Sequence, residues 1–212
     1  MDVTEFYNER GITLPDNAVL ASIMGKPAFD EAASTPQLIE ATFMRALLAF
    51  ETEAGIRLGK HENVMAVLIS RDGVLYTGQP GITELTVHTN VGGQWVPLVD
   101  YSWSQEYEPH LVRTSLADGQ RVRVTYSCDY QPPAGLVMRA LELSARLLLT
   151  PQDVRGGVTQ LSETVGPFTE QVTYAGWAAG GQAALSPEDK RYARRLKPGP
   201  WARTIPTREG IR

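Results

Sequence analysis

The chain has 212 residues, 42% of them apolar and 8% aromatic, enough for one or two folded domains with a real core. No run approaches the roughly 18 apolar residues of a membrane span, the acidic, polar start MDVTEFYNER does not read as a signal peptide, and a single cysteine excludes an internal disulfide or a Cys-cluster zinc site. The expected setting is a reducing cytoplasm, and the net charge of −4 divides unevenly: residues 1–62 sum to −5, 63–185 to −4 and 186–212 to +5, an acidic body with a basic end that favours an acidic protein partner over a DNA-reading domain.

In chain order, residues 1–34 hold two short helix signals. Asp2 is placed to cap VTEFYNER, with Glu5 at the third position and Gly11 as a stop; Asp16 or Asn17 is placed to cap AVLASIM before Gly25. Both depend on packing. A stronger helix follows, with Thr35 as N-cap, Pro36 at the first helical position and Ile39, Phe43, Ala46, Leu47, Phe50 and Ala54 on one face before Gly55.

From about Val64 to Tyr130 the period changes to two, and turn signals recur at RDG, QPG, NVGG and ADG. VMAVLIS, ITELTVHT, QWVPLVDYSW, PHLVRTS and RVRVTYSCDY lie between them and predict an antiparallel sandwich or small barrel of roughly five to seven strands. In RVRVTYSCDY, Val122, Val124, Tyr126, Cys128 and Tyr130 share the inward face, and Arg121, Arg123, Thr125, Ser127 and Asp129 the other.

Pro132 and Pro133 open the next helix, PAGLVMRALELSARLLLT. Its apolar stripe is Leu136, Ala140, Leu141, Ser144, Leu147 and Leu148, with Arg139, Glu142 and Arg146 opposite. It should pack against the first strong helix. The stretch QLSETVGPFTEQVTYAGWAAGGQ then alternates like a strand, and a last helix has Ser186 as cap, Pro187 first, Glu188 and Asp189 in its first turn, and Arg194, Arg195 and Lys197 at its end. The predicted class is α+β: a helical body (35–62 and 131–197) carrying an inserted β subdomain (63–130), a leading extension (1–34) and an extended basic tail (198–212).

The signals for chemistry are weak. His61, His88 and His110 lack a second ligand at metal spacing, and Cys128 with His88 has no oxyanion-hole glycine turn beside it. The pairs Gly92-Gly93, Gly156-Gly157 and Gly180-Gly181 do not open helices as phosphate loops do. Glu51 with Glu53, and Glu106 with Glu108, read as solvated surface carboxylates rather than as a catalytic dyad. No catalytic residue, cofactor or metal is expected.

The order of a helix, a turn-rich β insertion ending in VRVTYSCDYQPPAGLVMRALELSARLLL, then GGVTQLSETVGPFTEQVTYA and a short LSPEDKRYARRLK helix resembles the head-to-tail adaptor proteins of tailed bacteriophages. The resemblance covers about Thr35 to Lys197, and its most specific part is the SETVGPFTEQVTYA arm followed by LSPEDKRYARRL. It implies a structural virion protein of the neck, assembled in the host cytoplasm as a ring expected to be twelve-fold. Such a ring sits below the portal of the DNA-filled head, presents a surface to the next neck or tail protein, and lets double-stranded DNA pass without sequence-specific binding.

On that reading the alternating arm leaves its own subunit, hinged at the glycine pairs, and buries Leu161, Val165, Phe168, Val172 and Tyr174 against a neighbour. The alternative is a β-hairpin turning at Val165-Gly166-Pro167 and packing on its own helices. Portal docking falls to Arg191, Arg194, Arg195, Lys197, Trp201, Arg203 and Arg208, cations for carboxylates around an aromatic anchor. An acidic body also avoids retaining the passing duplex through repeated phosphate contacts. Rival readings are another neck component, such as a stopper or tail-end protein, and a β-sandwich binding module for glycan or peptide with Trp95, Tyr101, Trp103 and Tyr107 as its platform.

Overall fold

The computed structural model describes residues 3–13, 17–25, 29–30, 36–105, 110–149, 160–165, 168–173 and 185–198. Its elements are α1 (Val3–Arg10), α2 (Asn17–Met24), α3 (Pro36–Ala54), β1 (Gly59–Ile69), β2 (Val74–Tyr76), β3 (Ile82–Val91), β4 (Gln94–Pro97), β5 (Tyr101–Trp103), β6 (Leu111–Thr114), β7 (Arg121–Tyr130), α4 (Ala134–Leu149), β8 (Gln160–Val165), β9 (Phe168–Thr173) and α5 (Pro187–Leu196). The fold is α+β, and the chain divides into two compact units. One joins Met1–His61 to Tyr130–Leu196; the other is built on Glu62–Asp129.

The helical unit is organised by α3 and α4, which pack on one another as their apolar stripes require. Every α3 stripe residue from Ile39 to Ala54 is buried, together with Leu136, Ala140, Leu141, Leu143 and Ala145 of α4. Ser144 lies within the α4 stripe without harm, because its hydroxyl donates to the Ala140 carbonyl at 2.7 Å. Residues of the leading segment belong to this core rather than standing apart from it: Phe6, Tyr7, Ile12 and Leu20 are buried there. The Tyr7 hydroxyl donates to the Glu40 carbonyl at 2.8 Å, and burial raises its pKa well beyond the ordinary phenol value. The caps expected at Asp2, Asp16 and Thr35 lie outside the described residues.

The second unit is a sandwich of a four-stranded sheet, order β1-β7-β3-β4, and a three-stranded sheet, order β2-β6-β5. Leu75 and Val112 of the smaller sheet and Ile82, Leu85, Val87, Val122, Val124, Tyr126 and Cys128 of the larger one form a single core. Turn chemistry sets the registers. At RDG both Asp72 (φ 50°) and Gly73 (φ 70°) adopt left-handed conformations, and Arg71 and Val74 exchange backbone hydrogen bonds at 3.0 and 2.9 Å across the two-residue loop. Gly92 and Gly93 do the same between β3 and β4, where Val91 faces Gln94.

Three boundaries differ from the sequence pattern. β1 starts at Gly59, not near Val64, and Asn63 at φ 53° shifts its parity so that Val64, Ala66 and Leu68 face the core. QWVPLVDYSW is not one strand: its ends are β4 and β5, in different sheets. Tyr130 packs against the helical core, not the sandwich. Gly59 itself is dictated by space and angle, since at φ 78° an added Cβ would lie 2.5 Å from the Arg10 carbonyl oxygen.

Candidate assembly surfaces

Three features are candidate assembly surfaces. Helix α5 is the first. Ser186 caps it by accepting from the Asp189 backbone N–H at 3.1 Å, while its hydroxyl donates to the Asp189 carboxylate at 2.7 Å. Asp189 is the pivot of the helix. Its side chain is 4% exposed, and it receives Arg139 and Arg146 of α4 at 3.1 Å each. Burial alone would raise its pKa, but the hydrogen bonds from Ser186, Arg146 and Arg139 outweigh burial and hold the carboxyl below its usual value. Burial likewise works against the charge of Arg139, and its bonds to Glu188 and Asp189 reverse the effect and raise its pKa. The Arg139 guanidinium also stacks 4.7 Å from the centre of the Tyr192 ring.

A cleft of about 480 Å³ opens beside this fork, lined by Met138, Arg139, Glu142, Arg146 and Glu188 among others. Its arginines are engaged by carboxylates and its walls carry acids as well as bases. It therefore reads as the flank of a structural clasp, not as an anion site.

The end of α5 carries the cations assigned to docking. Arg194 is turned back onto its own body, its Nε donating to Glu53 at 2.7 Å. Arg191 donates to the Pro187 carbonyl from an exposed position, and Arg195 and Lys197 are exposed. Trp201, Arg203 and Arg208 lie outside the described residues. The carboxylates read as a solvated surface pair, Glu51 and Glu53, turn out to be anchors. Glu51, 12% exposed in its side chain, takes Arg10 at 2.5 Å and the Leu58 N–H at 3.3 Å. An i, i+2 pair diverges on a helix, as expected, but each member finds a separate cation that the sequence does not place beside it. Glu106 and Glu108 lie outside the described residues.

The β8–β9 ribbon is the second feature. The alternating segment folds back on itself in register: Leu161 faces Val172, Glu163 faces Glu170, and Val165 faces Phe168. This is the pairing of the hairpin alternative, and the two strands form a sheet of their own. Its turn residues, the flanking glycine pairs and Tyr174 lie outside the described residues.

The third feature is the outer face of the four-stranded sheet. On edge strand β1, Met65, Val67 and Ile69 alternate with the core-facing residues and are 68%, 61% and 52% exposed. In the central strands His88 faces Arg123 directly, and the Arg123 guanidinium sits 5.2 Å from the centre of the Trp95 ring. His88 Nδ1 and Arg123 Nε are buried with no hydrogen-bond partner among the described residues. Sequence reasoning missed this face. The strict β1 alternation of VMAVLIS was its signal, concealed because both parities are apolar.

Two groupings considered from sequence are not brought together. His88 is on the outer face and Cys128, 1% exposed, is in the sandwich core, so they form no nucleophile pair. Trp95 belongs to one sheet; Tyr101 and Trp103 belong to the other and pack partly buried on the core, with the Tyr101 hydroxyl donating to Leu85 O at 3.2 Å. They make no common platform, and Tyr107 lies outside the described residues. Among the described residues no group of three or more His, Cys, Asp and Glu could hold a metal ion, and no helix is long and apolar enough to cross a membrane. No protein-family model matches the chain, and no curated protein matches it.

Proposed function

We propose that this chain is a structural neck component of a tailed-phage virion, a head-to-tail adaptor that assembles as a ring between the portal and the next neck or tail protein. The observation that carries the proposal is the β8–β9 ribbon, which pairs only with itself among the described strands. A lone two-stranded ribbon is marginal in water and gains stability by adding to another surface. Helix α5 supports the same reading, because Asp189 and Glu53 fix it to the helical unit while Arg195 and Lys197 stay exposed near the start of the basic tail. The resemblance of the arm and the final helix to adaptors supplies the portal as the partner of that tail, with the DNA passing through the ring and making no sequence-specific contact.

The test is a light-scattering mass of the purified chain, alone and mixed with a portal ring from the same genome, with electron microscopy of the product. A stoichiometric ring stacked on the portal is the expected outcome. A chain that stays monomeric and ignores the portal would overturn the adaptor reading and leave another neck component in its place.

A further inference from the structure

The edges of the two sandwich sheets are unlike one another. β2 and β5 bound the smaller sheet with three residues each, and β4 bounds the larger one with four, ending in Pro97. Edges that short offer little to a second strand. At the other end of the larger sheet β1 runs for 11 residues, and from Val64 to Ile69 it holds no charge, proline or glycine. Its Met65, Val67 and Ile69 side chains are exposed, and among the described strands none pairs with its outer edge. β2 makes a single bridge to this strand's extension, Arg71 to Val74, and then joins the other sheet.

The backbone supplies a second observation. Just past β1, the Ser70 N–H donates to the Gln120 carbonyl and the Ser70 carbonyl accepts from the Gly119 N–H, both at 3.0 Å, at the approach to β7. Successive residues of a strand direct their backbone groups to opposite sides. Leu68, Ala66 and Val64 therefore turn theirs toward β7, and Ile69, Val67 and Met65 turn theirs to the outer edge. The three residues with exposed apolar side chains are the three whose backbone groups point out of the sheet.

We infer that the chain pairs with a second copy of itself along β1, the two strands antiparallel about a twofold axis at Val67. That register sets Val67 opposite the second copy's Val67, and Met65 opposite its Ile69. All three positions become hydrogen-bonded pairs, so every backbone group directed outward from Met65 to Ile69 finds a mate. The segment is its own complement: apolar in both directions from its centre, in the backbone phase that an identical strand needs, and without a charge to select a different partner or repel an identical one. Glu62 at one end, and Arg71 with Asp72 at the other, lie beyond the paired stretch, where the left-handed backbone of Asn63 and Asp72 interrupts the regular pleat. The contact is isologous and closes at two copies. It goes beyond the adaptor reading and is separate from any ring contact, which has to be heterologous.

Cysteine trapping in the full-length chain tests the pairing and its register; Cys128, buried in the sandwich, stays out of the reaction. Val67→Cys should link to itself about tenfold faster than Val99→Cys, an exposed valine away from the edge. Met65→Cys and Ile69→Cys should link when mixed and far less when alone, because the register separates each from its own counterpart by four residues, about 13 Å. In sedimentation velocity the unaltered chain should show a dimer that dissociates on dilution, and Val67→Lys should raise the dissociation constant about tenfold. Val67→Pro, which removes only an outward N–H, should weaken the dimer and spare the fold, whereas Ala66→Pro should lower the unfolding midpoint. The pairing is overturned by a chain that sediments as a monomer at every concentration, by Val67→Cys linking no faster than Val99→Cys, or by Met65→Cys linking to itself as readily as to Ile69→Cys. Capture of the portal by Val67→Cys in place of a second copy overturns it as well. Ring formation on the portal tests the adaptor reading separately, so either can fail without the other.

Discussion

Four arginines of the helical unit and Arg123 of the sandwich are treated in opposite ways. In the helical unit Arg10, Arg139, Arg146 and Arg194 each meet a carboxylate from a distant part of the chain, Glu51, Asp189 or Glu53. On the outer sheet face Arg123 meets an aromatic ring and a histidine, and its Nε has no acceptor among the described residues. The first arrangement closes a body; the second leaves a surface waiting. The difference teaches where to look for an assembly surface: at polar groups that folding has partly desolvated and not paired.

The largest effect that would sharpen this contrast is a cavity in the closed body. Phe43→Ala removes a ring that is 1% exposed and should cost about 3–5 kcal/mol of unfolding free energy in denaturant titration. Removing the pivot comes next. Asp189→Ala leaves Arg139 and Arg146 without their shared carboxylate and removes part of the α5 cap, a loss of about 2–3 kcal/mol, less than for a fully buried network because both arginines are partly exposed. Gly59→Ala belongs at the same level, roughly 1–3 kcal/mol from the left-handed backbone alone.

pH separates the contributions further. The folded pKa of Asp189 is lowered, so its stabilisation is fully present above the ordinary carboxylate value of about 4 and fades as pH falls through the folded value. Asp189→Asn should flatten the acid limb of a stability profile there. The His61 pKa is also lowered, by burial and by the neighbouring Arg10. Its neutral form suits the folded state, so its contribution is complete above about pH 6.5 and declines as the solution is acidified below it. His61→Gln should remove that milder slope. The smallest effect is on the open surface: Val67→Ser and Arg123→Ala should each change monomer stability by about 0.5 kcal/mol or less, and Val67→Ser should also weaken self-association in sedimentation velocity. A large stability loss from either would break the contrast, since it would make the outer face part of the fold.

Much of the architecture is legible in the residues because it rests on local rules. The α3 and α4 stripes, the Pro36 and Pro187 starts, the Ser186 cap and the glycine turns at RDG and NVGG follow from helical period, capping and the left-handed preference of glycine, and each is in place. The inward parity of Val122, Val124, Tyr126 and Cys128 is likewise a consequence of the pleat. What was misread is nonlocal or has two equivalent local solutions. Glu51 and Glu53 looked solvated because their cations come from α1 and α5; QWVPLVDYSW looked continuous because nothing local shows that its ends join different sheets.

By itself, then, the sequence determined the α+β class, the helix starts, the turn positions and which residues of β7 face the core, since periods of 3.6 and 2 and the chemistry of Gly, Pro and Ser act over a few residues. Only the tertiary structure decided that Asp189 gathers two arginines, that Glu51 is an anchor, that His88 and Cys128 lie on opposite faces, and that Met65, Val67 and Ile69 stay exposed beside an arginine without an acceptor. The arginine concerned is Arg123, whose Nε alone lacks an acceptor among the described residues; all of these outcomes depend on which segments meet across tens of residues, and a run that is apolar at both parities fits either face until its neighbours are in place.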